Sequence, residues 1–166
     1  YMSLIVIFGS VTIRFRTLQA LKLLGYTLVV TGTIAAAYGI AQHFGWDPIA
    51  GNQGRTRVIA SFGNTLNFGG YMVMSIPATM AFAYKRAEKK RIHLALLIGA
   101  LSLQLAGLWF SGGRGPWVAT SASIASFFVI VAALGSPKDT FRAIYGLAAS
   151  TVIAFIIVAL PSPQKD

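Results

Sequence analysis

The chain is 166 residues long, with 55% aliphatic and aromatic residues, 11% charged residues and a mean hydropathy of +0.68, a composition of integral membrane proteins rather than of soluble domains. Lysine and arginine number 14 against 4 acids, for a net charge of +10. These cations sit in short clusters between apolar runs, a pattern that sets topology and excludes a nucleic-acid-binding face. Cysteine is absent, which excludes disulfides, thiolate chemistry and thiolate zinc sites and leaves the redox compartment open.

In chain order, Tyr1 to Ile13 is apolar but reaches only about 20 Å as a helix, and is expected to be the tail of a spanning helix cut at its start. The chain begins with Tyr1 rather than methionine, so the native amino terminus is expected to precede it. No charged segment comes before the first apolar run and no cleavage-like motif follows it, against a secretory signal peptide. Arg14, Arg16 and Lys22 suit an interfacial turn from which long basic side chains snorkel. Leu23 to Phe44 is the first complete span, closed by Trp46 as an interfacial anchor. Asp47 to Arg57 has proline, two glycines and no apolar periodicity, and reads as a loop. Leu66 to Tyr84 is the second full span. Pro77 removes a backbone donor near its middle, and Gly69, Gly70, Ser75 and Ala78 allow a neighbouring helix close approach.

Lys85 to Arg91 is the densest basic cluster, with five cations and one acid, and marks the cytoplasmic side. Ile92 to Phe110 crosses back, Ser111 to Pro116 forms a tight outer turn, Trp117 to Leu134 returns, Ser136 to Arg142 is an inner loop, and Ala143 to Leu160 crosses outward. Ten cations then lie inside and four, Arg55, Arg57, Arg114 and Lys165, outside, which follows the positive-inside rule. Residues 1–166 are thus expected to be one all-α, polytopic transmembrane helix bundle of about six spans, the first incomplete. Asp47 to Ser61 and Ser111 to Pro116 are outside and Lys85 to Arg91 is cytoplasmic.

Asp47, Glu88, Asp139 and Asp166 are the four carboxylates, and none lies in the middle of a span. Proton relays, cation transporters and metal-dependent transferases ordinarily place carboxylates in their sites. His43 and His93 have no partner at ligand spacing, so no metal is expected. What remains is cationic. The planar fork of an arginine suits phosphate oxygens, and Arg57 and Arg114 face the same side. In RVIASFGNTLNFGG a helix start adds donors and a favourable dipole. The plainer reading has Ser61, Asn64 or Thr65 capping a helix while Arg57 and Arg114 reach lipid headgroups.

Two motifs taken together carry a resemblance. An arginine followed by FGNTLNFGGY, a span with an internal proline, a basic inner loop and a helix ending in SGGRGPW resembles the O-antigen ligase and O-antigen polymerase superfamily of bacterial envelope proteins. Gly63, Asn64, Thr65, Leu66 and Asn67 stand where that family has a Gly-Asn-Pro-Asn-like run. Ser111, Arg114, Gly115 and Trp117 stand where it has a Ser-Arg-Gly-x-Trp-like run. Thr65 and Leu66 depart from the compact pattern, and Gly112 and Gly113 separate the serine from the arginine.

The resemblance implies a GT-C-like fold in the bacterial inner membrane and a metal-independent, cofactor-free transferase. It implies transfer of a glycan from a polyprenyl pyrophosphate to a lipid or sugar acceptor at the outer face, with Arg57 and Arg114 on the pyrophosphate and Asn64 and Asn67 in support. Family members carry a catalytic histidine in an outer loop beyond the last residue of this chain. No catalytic residue is therefore assigned, and the chain is expected to be a fragment, one piece of a split protein, or a descendant that lost the reaction. The alternative is a non-catalytic integral subunit whose partners are membrane lipids and other membrane proteins.

Overall fold

A computed structural model describes residues 17–47, 57–86 and 91–161. Among them the chain forms five α-helices and no strand: α1 (Leu18–His43), α2 (Thr65–Arg86), α3 (Arg91–Ser111), α4 (Arg114–Leu134) and α5 (Pro137–Ala159). The apolar run 1–13, most of the loop expected between Asp47 and Arg57, the middle of the basic Lys85 to Arg91 loop and the last five residues lie outside the described residues.

The helices of 21 to 26 residues are about 30–40 Å long at the helical rise, which matches the hydrocarbon of a bilayer. Among the described residues four segments are long and apolar enough to cross a membrane: Leu18–His43, Arg91–Ser111, Arg114–Leu134 and Thr140–Ala159. α2 has the length, with 22 residues, but is less apolar because Ser75 and Thr79 interrupt it. Both of those side chains are fully buried, on a helix that packs against α1, α3 and α4. A helix surrounded by others meets less lipid and can carry hydroxyls that its neighbours satisfy.

The helix boundaries differ from the sequence reading at three places. α1 starts at Leu18 and takes in Lys22, with the Thr17 side chain accepting a hydrogen bond from the Ala20 amide at 3.2 Å. The turn expected over Ser111 to Pro116 is only Gly112 and Gly113, since α4 already begins at Arg114 and holds Pro116 in its first turn, where a missing amide costs nothing. The inner loop expected over Ser136 to Arg142 is also largely helix. Pro137 opens α5 because its fixed φ suits the first helical position.

α3 is the centre of the bundle. Its apolar window is 44% buried, against 22% for α1 and 11% each for α4 and α5, and it packs on α1, α2 and α5. Phe68, Met72 and Ile76 of α2 and Leu108 of α3 are fully buried, so the apolar core lies between α1, α2 and α3. A polar knot sits beside it. The Gln104 amide, 0% exposed, accepts from Thr79 Oγ1 at 2.9 Å through Oε1 and donates from Nε2 to Val29 O at 3.4 Å and Thr33 Oγ1 at 3.3 Å. Gly32 lets α1 this close: a Cβ there would lie 2.6 Å from Ser75 Cβ and 3.3 Å from Gln104 Nε2.

Because the five helices alternate in direction, the bundle has two ends. The carboxyl ends of α1 and α3 and the amino ends of α2 and α4 share one end with Arg57 and Arg114. Arg91, Lys138 and Arg142 belong to the other.

Candidate functional site

The segment ahead of α2 is clamped from two sides. The Val58 amide donates to the Phe110 carbonyl in the last turn of α3 at 3.1 Å. Gln42 of α1 donates from Nε2 to Ala60 O at 3.3 Å. Val58, Ile59 and Ala60 are buried, so three small or aliphatic residues anchor this loop and leave its polar neighbours outside. Asn64 then opens α2: its Oδ1 accepts from the Leu66 amide at 2.8 Å and its carbonyl from Phe68 N at 3.1 Å. This is N-cap geometry, and it is the plainer of the two roles read for Asn64 from sequence. Asn67 is exposed in the first turn of α2.

The SGGRGPW segment docks directly on this loop and on α2. Ser111 Oγ donates to Leu108 O at 2.7 Å, and Gly112 N to Trp109 O at 3.1 Å, which closes α3. Gly112 has φ +60°, a left-handed conformation that favours glycine. A Cβ there would stand 3.2 Å from Arg57 Nε and 3.3 Å from its Cδ, so the Arg57 side chain lies across the turn. Pro116 packs on α2 at Gly69, where a Cβ would be 2.6 Å from the proline ring and 3.2 Å from Ser111 Oγ. The two motifs read from the sequence are therefore in contact along their length, at Arg57 with Gly112, Leu66 with Gly113, and Gly69 with Pro116.

Arg57 and Arg114 are both exposed. Arg57 covers the turn and Arg114 stands two residues past Gly112 as the first residue of α4. Neither α2 nor α4 has an acid in its first turn, and the Gly113 N-cap gives α4 no side-chain acceptor. Two positive helix ends thus accompany two guanidinium groups. These guanidiniums lie on the surface: the cleft near this end, about 410 Å³, is lined by Thr31, Ile34, Tyr38, Ser61, Phe62 and Tyr71 among others, and by neither arginine. Thr31 and Tyr71 hydroxyls are hydrogen-bonded to each other at its wall.

Asp47 accepts from Tyr38 Oη at 2.6 Å, and His43 stacks on Phe110 with ring centroids 3.8 Å apart. No group of three metal-ligating side chains occurs among the described residues. All three tryptophans of the chain, Trp46, Trp109 and Trp117, are exposed at this end, and Trp109 meets Trp117 edge to face at 5.6 Å. Such a belt marks a membrane–water interface. Sequence reasoning passed over Gln42 and Gln104, both at most 4% exposed. Each is an amide flanked by small and aliphatic residues in an apolar helix, the signal that an interhelical partner is needed.

Comparison with family models, with curated proteins and with solved structures returns no match.

Proposed function

We propose that the chain is the membrane core, or part of it, of an O-antigen ligase- or polymerase-like transferase of the bacterial inner membrane, with about six spans and a GT-C-like fold. It passes a glycan from a polyprenyl pyrophosphate to a lipid or sugar hydroxyl at the outer face, without a metal. One observation carries the reading: the Arg57 side chain lies over Gly112 of the motif that holds Arg114, so the two cationic motifs form one surface.

On this reading Arg57 and Arg114 take the pyrophosphate, with the amino ends of α2 and α4 adding partial positive charge. As the bond from the anomeric carbon to the phosphate oxygen breaks, the electron pair leaves with the pyrophosphate and the guanidiniums stabilise that charge. The acceptor oxygen bonds to the anomeric carbon and gives up its proton to a base. The cytoplasmic side is then the Arg142 end, in keeping with the positive-inside rule.

Arg57→Lys and Arg114→Lys keep the charge but lose the fork, and each is expected to lower glycan transfer by roughly 100-fold in cells that express the complete protein. Undiminished transfer by Arg57→Ala, Arg114→Ala would remove the assignment. The second reading, a non-catalytic integral subunit, is favoured by Gly70 and Gly115, where a Cβ would meet nothing within 4 Å: open small residues suit a partner helix. Co-purification of a defined membrane partner, lost on Gly115→Leu, would favour it.

A further inference from the structure

α5 leans on α3 and touches α2 and α4 only lightly. Ser150, fully buried, holds that contact by donating to Ile98 O at 3.4 Å across the helix pair and to Gly146 O at 2.9 Å in its own helix. The wedge left between α5 and the helices α2, α3 and α4 is a cavity of about 420 Å³, within the range of small-molecule sites. It lies at the end of the bundle opposite Arg57.

The lining is graded along the bundle axis. Arg142, Tyr145, Gly146 and Ala149 of α5 face it at the i, i+3, i+4 and i+7 spacing of one helix face. Arg142 and Tyr145 are exposed and mark the mouth. Deeper walls are apolar: Met80 from α2, Ile98 and Leu101 from α3, and Phe127 from α4. Leu101 lies ten residues into α3, about 15 Å below its start. A cation at the rim and a hydrocarbon-lined shaft behind it match one kind of molecule, an amphiphile with an anionic head.

The surrounding charge points the same way. Among the described residues Arg91, Lys138 and Arg142 are exposed cations at this end. Such a basic rim concentrates anionic lipid. We propose that the cavity holds one anionic glycerophospholipid, an acyl chain lodged between α2, α3 and α5 and the phosphate at Arg142. The site is separate from the Arg57 surface and does not depend on the transferase reading.

The full chain in a neutral detergent, titrated with phosphatidylglycerol or phosphatidylcholine of identical chains and read by native mass spectrometry, tests this. The wild type is expected to take up one phosphatidylglycerol with at least tenfold preference. Arg142→Ala should erase that preference, and Arg142→Lys should keep most of it. Gly146→Leu, at a position where an added Cβ meets nothing within 4 Å, combined with Ala149→Leu should fill the shaft and abolish uptake of both lipids. Circular dichroism checks that the helices persist. If the filled variant does not fold, a photoreactive phosphatidylglycerol on the wild type decides instead, with labels expected on peptides covering residues 94–101 and 142–149. Equal uptake of the two lipids, lipid retained by a folded filled variant, labels spread evenly over the helices, or a second polypeptide occupying this face would each overturn the proposal.

Discussion

Gly112→Ala is the sharpest local perturbation of the docked motifs. Two costs add. Gly112 sits at φ +60°, and a left-handed conformation costs an L-residue about 1–2 kcal/mol. The new methyl would also stand 3.2 Å from Arg57 Nε and 3.3 Å from Cδ; because the arginine is long and rotatable, it shifts at a fraction of a kcal/mol rather than forcing the helices apart. Gly115, three residues on, gives the control. It lies within α4, and its Cβ would meet nothing within 4 Å, so Gly115→Ala is expected to be neutral or to stabilise by about 0.5 kcal/mol. The two substitutions, in one turn, are thus expected to differ by roughly 1–2.5 kcal/mol. Unfolding in mixed micelles with increasing denaturing detergent, followed by circular dichroism, measures both. Repeating Gly112→Ala in an Arg57→Ala background separates the steric part, which should vanish, from the backbone part, which should persist. If Gly112→Ala is as stable as the wild type in both backgrounds, the left-handed turn under Arg57 is not the conformation of the protein.

Three further outcomes follow from the packing. Gln104→Leu removes hydrogen bonds to Val29, Thr33 and Thr79 and is expected to cost about 1–2 kcal/mol in the same unfolding measurement; an unchanged midpoint would contradict the knot between α1, α2 and α3. Gly32→Ala places a methyl 2.6 Å from Ser75 Cβ and should destabilise by about 1–3 kcal/mol, with Ser75→Gly restoring much of the loss; absence of that rescue would mean the two helices do not meet there. Asn64→Ala loses the bond to the Leu66 amide and should lower stability by about 1 kcal/mol. Asn67→Ala, at an exposed position, should stay within about 0.5 kcal/mol, and the reverse order would overturn the cap assignment.

The helices were largely legible because each is an apolar run bounded by charge, glycine or proline. The second, third and fourth complete spans end within three residues of α2, α3 and α4. The reading failed where a helix runs into polar sequence. Lys22 lies inside α1 and Lys138 inside α5, since lysine snorkels and retains good helix propensity, so charge marks the interface and not the helix end. Contact between the two motifs was readable from their shared side and glycine content, whereas which atoms touch was not. Pro116 on Gly69 and Arg57 on Gly112 depend on how two helix pairs are rotated, and that is set by distant contacts such as Gln104 with Thr33. Val58, Ile59 and Ala60 are buried in the loop ahead of α2, whereas Arg57 beside them is exposed, a division that the run of small and aliphatic residues after the arginine allows but does not fix.

The central claim is that Arg57 and Arg114 together recognise a diphosphate. Its most direct measurement is binding of a short-chain polyprenyl pyrophosphate and of the matching monophosphate to the protein in lipid nanodiscs, for the wild type and for Arg57→Ala, Arg114→Ala. The wild type is expected to prefer the pyrophosphate, and the double variant to bind it at least tenfold more weakly while its affinity for the monophosphate changes less. A folded double variant that binds the pyrophosphate as tightly as the wild type would contradict the account.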